Sequence, residues 1–148
     1  MKGSIEMKFG VLKDIKNGEY RVVATPAEVS LIAGDGHEVY VASKAGYAAG
    51  FDDKEYAAAG ATILAICDFV AKVKEIEPSE YDLMREGQMI FCCIHPAAHR
   101  EEVDALLEKK VIAITAEDSH RYGSPNCEAA GKAGAFMGLW AMMSINGG

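Results

Sequence analysis

The 148-residue sequence predicts an α/β fold in three layers, with helices on both faces of a mostly parallel sheet. Three observations predict it. Short β-type runs alternate with helical runs along the chain, the pattern of βαβ units. Residues 89–94 (Met-Ile-Phe-Cys-Cys-Ile) and 111–115 (Val-Ile-Ala-Ile-Thr) have no polar face, as expected of strands covered on both sides. A clear helix start, Thr25-Pro26-Ala27-Glu28, separates the first two β-type runs. There Pro26 suits the first helical position, and Thr25 with Glu28 forms a capping box.

The elements follow in order. Residues 8–12 read as a first strand. The helix opened by Thr25 ends near Gly34-Asp35-Gly36, where glycine can turn left-handed. Residues 37–41 form a second β-type run, and residues 44–50 a glycine-bearing loop. Asp52 and Asp53 open a second helix with acids in its first turn, which suits the helix dipole, and Gly60 stops it. Residues 61–66 and 69–73 are closely spaced strand candidates, and residues 78–85 a short helix. Residues 97–109 form an amphipathic helix with Val103, Leu106 and Leu107 on one face, started by Pro96. Residues 128–145 form a long apolar helix containing Gly131, Gly134 and Gly138. Its polar side is little more than Glu128, Lys132 and Ser144, so it needs cover on more than one side, from a further domain or a partner chain.

Composition bounds the function. Half the residues are hydrophobic and a quarter charged, which suits one globular domain spanning 1–148 with a linking helix at about 128–145. Fifteen basic residues against 22 acidic ones leave a net charge of -7, which repels phosphate backbones, so nucleic acid is not an expected partner. Cys67, Cys92, Cys93 and Cys127 form no C-x-x-C pair and read as free thiols in a reduced compartment. The N-terminus shows no secretory h-region, and the longest apolar stretch, residues 133–145, is shorter than the ~20 residues of a membrane span. A cytoplasmic protein is expected.

In open parallel sheets, functional residues gather beyond the carboxyl ends of the strands. That points to residues 13–21, 73–75 and 95–96. Arg21 offers a guanidinium fork for a substrate carboxylate; its plainer reading is a solvated surface arginine. Lys74, sharing a strand face with Lys72, is placed to bind a carboxylate or polarise a carbonyl; its plainer reading is a solvated lysine. His95, after the most apolar strand, suits general acid–base work near neutral pH, against a structural histidine. His95 and His99 are four apart, but no third ligand accompanies them and no metal is expected. None of the 15 glycines forms G-x-G-x-x-G between a strand and a helix, and no Walker motif occurs. The fold is therefore flavodoxin-like or Rossmann-like without a dinucleotide fingerprint.

These places together resemble the alanine dehydrogenase and NAD(P) transhydrogenase family. The likeness is carried by Phe9-Gly10-Val11-Leu12-Lys13-Asp14-Ile15-Lys16-Asn17-Gly18-Glu19-Tyr20-Arg21-Val22 with Thr25-Pro26, then Gly36-His37-Glu38-Val39, Ala58-Ala59-Gly60-Ala61, Lys72-Val73-Lys74-Glu75 with Pro78, Leu83 to Gln88, and His95-Pro96-Ala97-Ala98. The resemblance implies an N-terminal substrate domain that lacks the Rossmann domain which follows it in the family. It implies an NAD-dependent oxidoreductase interconverting L-alanine with pyruvate and ammonia. Arg21 and Lys74 would bind the substrate, Lys74 and His95 would be catalytic, and NAD would be bound by a domain absent from this chain. The chain alone would be inactive, and the whole protein a homo-oligomer. Two departures stand out. The segment between Ala61 and Lys74 is shorter than the family's, with the loss of a helix. Asn126 replaces an apolar residue near the substrate, which makes it a further substrate-binding candidate and leaves alanine open as the substrate. The alternatives are a stand-alone, non-enzymatic domain that binds a small carboxylate or a subunit, and a fragment of the transhydrogenase NAD-binding subunit.

Overall fold

A computed structural model describes residues 6–63, 67–117 and 125–145, the last segment with side chains from residue 128. The chain divides into two compact units, Met1–Ala116 and Glu117–Gly148.

The first unit is built on one six-stranded sheet in the order β3-β2-β1-β4-β5-β6. The strands are β1 (Lys8–Val11), β2 (Glu38–Val41), β3 (Ala61–Thr62), β4 (Phe69–Ala71), β5 (Met89–Cys92) and β6 (Ile112–Thr115). Every pairing is parallel. This is the doubly wound Rossmann order rather than the flavodoxin order. Between the strands lie α1 (Pro26–Gly34), α2 (Asp53–Ala58), α3 (Arg100–Glu108) and two 3-10 segments, Tyr47–Ala49 and Pro78–Leu83.

Side-chain alternation along the strands produces two cores. Val39 and Val41 of β2 join Val11, Val29 and Tyr56 in one, beneath α1 and α2. Tyr40 packs instead toward Val70, Ile90, Cys92 and Leu106 in the other, beneath α3. Two cores on opposite faces of one sheet make the three layers. Along β5 no residue is exposed, as its apolar run predicts. β6 differs: Ile112 and Ile114 are exposed within an apolar strand, because it is the last strand of the sheet.

Local chemistry sets the helix starts. At α1, Glu28 accepts from the Thr25 backbone N–H at 2.8 Å and also pairs with the Thr25 hydroxyl, closing the capping box. At α2, the Asp52 carboxylate accepts from the N–H groups of Lys54 and Glu55, each at 2.9 Å, and Glu55 accepts from the Asp52 N–H. α3 corrects the sequence reading: residues 96–98 form a turn closed on the His95 carbonyl, His99 is the N-cap, and the helix begins at Arg100. Pro96 does not start it. The short helix expected at 78–85 is a 3-10 segment ending at Leu83. β3 is two residues long, and the remainder of that strand candidate, 64–66, lies outside the described residues.

The second unit contains α4 (Pro125–Ile145). All its described side chains are exposed, among them Phe136 at 74% and Trp140 at 70%. No helix among the described residues is long and apolar enough to cross a membrane.

Candidate functional site

The strand order places a topological switch point between β1 and β4, the position at which such folds open a crevice beyond the carboxyl edge. The loop after β1 carries Asp14, Lys16, Glu19 and Arg21, the turn after β4 carries Lys74 and Glu75, and the turn after β5 carries His95. These are three adjacent parallel strands, so all three turns leave the same edge of the sheet.

Asp14 ties the first two together. Its Oδ2 accepts from the Lys74 backbone N–H at 2.9 Å, and its Oδ1 accepts from the Lys16 N–H at 3.2 Å. Lys16 ion-pairs with Glu75, whose Oε1 lies 3.7 Å from His99 Nε2. The His99 ring meets the His95 ring edge-on, centroids 6.4 Å apart. Contacts thus lead from the Lys74 main chain to Asp14 and the loop carrying Lys16, and from the Lys16 side chain through Glu75 to His99, whose ring lies beside that of His95. His95 itself is exposed and takes a left-handed backbone with φ +50°. For a non-glycine residue that conformation is uncommon, and it aims the turn out of the strand.

Arg21 is 53% exposed, yet its fork is engaged. Nε donates to Glu19 Oε1 at 2.8 Å and Nη2 to Glu19 Oε2 at 2.6 Å, while the Glu19 side chain is only 8% exposed. The Arg21 guanidinium holds the Glu19 carboxyl at about 2, with Lys74 adding to the same effect. In return Glu19 raises Arg21, to which Cys93 and Asp14 also contribute. Arg21 and Lys74 therefore sit in one electrostatic neighbourhood. A small cavity of about 110 Å³ opens beside Arg21, lined also by Lys13, Lys44 and Tyr47. A larger one of about 580 Å³ lies on the other side, against Lys16, Glu75, Tyr81 and His99.

Lys72 and Lys74 do not share a strand face, which corrects the sequence reading. β4 ends at Ala71, and the chain turns. Lys72 is buried, donating to Glu80 Oε2 at 2.5 Å and to the Glu75 carbonyl at 3.0 Å, while Lys74 is only half-buried. Lys72 is a structural cation holding the 3-10 segment to the sheet edge. The side chain of Asn126 lies outside the described residues, as does that of Cys127. No group of three or more metal-ligating side chains occurs among the described residues.

Sequence reasoning missed Asp14, Glu19, Lys44 and Tyr47. Lys44 and Tyr47 follow β2, and the same carboxyl-edge rule would have found them had β2's end been included. Asp14 and Glu19 showed only as charges in a polar loop.

A dinucleotide does not fit the first βα turn. A pyrophosphate there needs free N–H groups at the helix start and closely approaching glycine backbone. Here Pro26 has no N–H, the Thr25 N–H is already taken by a carboxylate, and Gly18 is the one glycine between Leu12 and Thr25.

Comparison with known proteins agrees with this fold. The family model for the alanine dehydrogenase/PNT N-terminal domain matches residues 10–125. An alanine dehydrogenase of Methanococcus maripaludis is 37% identical over 155 residues, covering 96% of this chain and 42% of that protein. Alanine dehydrogenase 2 of Staphylococcus aureus is also 37% identical, over 96% of this chain and 41% of its own length. This chain thus spans about two-fifths of these relatives. A solved L-alanine dehydrogenase superposes with a TM-score of 0.70 at 40% identity, over 74% of this chain and 32% of that one. A transhydrogenase from Sinorhizobium meliloti, 22% identical, gives a TM-score of 0.69 over 73% of this chain and 34% of its own, a likeness of fold. With more than half of its length matched by the family model and closely similar relatives on the same sheet, the chain belongs to the alanine dehydrogenase/PNT N-terminal domain family.

Proposed function

We propose that this chain is the substrate domain of an NAD-dependent amino-acid dehydrogenase resembling alanine dehydrogenase. Arg21 and Lys74 take the carboxylate and carbonyl of a pyruvate-type 2-oxo acid, and His95 serves as the general acid–base. The observation that supports this reading is that the loop carrying Arg21 and the turn carrying Lys74 leave the same sheet edge, with Asp14 of that loop accepting from the Lys74 main-chain N–H. A guanidinium and an ammonium at one sheet edge suit a small anion with an adjacent carbonyl. Asn126 is a further substrate contact in this proposal.

NAD is then bound by a domain outside this sequence, since the β1–α1 turn cannot cradle its pyrophosphate. The relatives, more than twice as long as this chain, have room for such a domain. The 148-residue chain is accordingly inactive alone. The whole protein works as a cytoplasmic homo-oligomer, with α4 covered by a further domain or partner.

The test is titration calorimetry of pyruvate into the chain and into Arg21→Lys. Lysine keeps the charge but cannot reproduce a two-pronged contact, so affinity should fall by roughly tenfold or more. Equal affinity in the two proteins would overturn the role of Arg21.

A further inference from the structure

Arg21 is the side chain on which the proposed substrate contact depends, and half of its donor face is already committed. A guanidinium presents two bidentate edges to carboxylates: one formed by Nε and an Nη, the other by the two Nη groups. Glu19 takes the first edge at 2.8 and 2.6 Å. Glu19 also accepts from the Arg21 backbone N–H at 2.9 Å, so one carboxylate grips both the main chain and the side chain of the same residue. That grip is nearly sealed from solvent on the glutamate side and open on the arginine side. The Glu19 N–H in turn donates to the Lys16 carbonyl at 3.1 Å, which anchors the turn carrying it.

An exposed arginine loses rotamer entropy when it binds a ligand. A carboxylate that fixes its Nε edge beforehand removes much of that cost and leaves the other edge as the available face. We infer that Glu19 is a positioning residue: it locks Arg21 so that the Nη1–Nη2 edge receives the substrate carboxylate. This inference rests on the proposed pyruvate-type site and adds a part to it. A carboxylate in the Arg21 fork has an alternative use, as a plug that the substrate must displace. Three contacts to one residue by a nearly sealed side chain favour the lock, because a plug has to leave readily.

The experiment compares Glu19→Gln with the wild-type chain in two measurements. The first is the ¹⁵N-resolved Nε–H signal of Arg21, which should be sharp and slow to exchange in the wild type and broadened in the variant. The second is pyruvate calorimetry, in which the variant should bind about tenfold more weakly because the fork is no longer held. Pyruvate binding unchanged or tightened in Glu19→Gln overturns the lock, and tightening identifies a plug. A wild-type chain that does not bind pyruvate overturns the proposed function, and this inference with it. If Glu19→Gln does not fold, Glu19→Asp replaces it. The shorter carboxylate keeps the charge but cannot span all three donors, so the Nε–H signal and the affinity should fall together. Affinity that stays at the wild-type level while the Nε–H signal is lost is again a refutation.

Discussion

Glu19 titrates near 2 in the folded chain against an ordinary 4.5, chiefly because the Arg21 guanidinium hydrogen-bonds the ionised form. A carboxyl whose folded value is lowered stabilises the fold whenever it is ionised in both states, that is above about 4.5. The contribution fades as the pH falls from there toward 2, where the folded carboxyl also takes up its proton. The wild-type chain should therefore lose stability between pH 5 and pH 3 more steeply than Glu19→Gln, which has no carboxyl to protonate. Urea unfolding midpoints at the two pH values measure the difference. Parallel curves would mean that the pair, whose arginine is largely in water, is screened to nothing.

The elements are held less by propensity than by a few joints. Tyr56 is fully buried, and its hydroxyl donates to the Ala24 carbonyl at 2.9 Å, which fastens α2 to the residue before the α1 cap. Burial pushes that phenol up to about 12. Gly46 is what lets the ring in: a Cβ there would stand 2.5 Å from the hydroxyl, 2.6 Å from Cε2 and 3.0 Å from Phe51 Cβ. Gly46→Ala should thus destabilise the chain by roughly 1–3 kcal/mol, the usual penalty of overpacking, and lower the urea midpoint. A variant as stable as the wild type would show that the loop yields freely. Such joints mark the limit of what the sequence discloses. The capping box at Thr25, the acidic start of α2 and the apolar β5 run were readable, because their signals are local. Gly46 against Tyr56, Asp14 against Lys74 and Lys72 against Glu80 were not, because each joins residues across a turn or a sheet edge. The expected helix start at Pro96 failed for a similar reason. The left-handed His95 turns the chain first, and its carbonyl takes the N–H groups of Ala98 and His99. For the candidate site, the carboxyl-edge rule pointed to turns that do leave one edge of the sheet, while the bidentate engagement of Arg21 by a neighbour two residues away has no local sequence signal.

At the scale of the molecule, the first unit buries residues of its own, whereas the described side chains of α4 are exposed. Among its described residues, the six strands and three helices of the first unit bury two cores. α4 is a helix of 21 residues, ~31 Å long at 1.5 Å per residue, with Phe136, Met137, Leu139, Trp140, Met142, Met143 and Ile145 all exposed. Its i,i+4 pair of Glu128 and Lys132, 2.5 Å apart, contributes only a few tenths of a kcal/mol. An apolar surface of that kind is stable in water only when something covers it. A second copy is one cover that the chain itself can supply. Sedimentation velocity at rising concentration should show self-association of the 148-residue chain, whereas a chain ending at Ala116 should remain monomeric and unfold cooperatively. A 148-residue chain that stays monomeric throughout, or a shortened chain that fails to fold, would overturn this expectation.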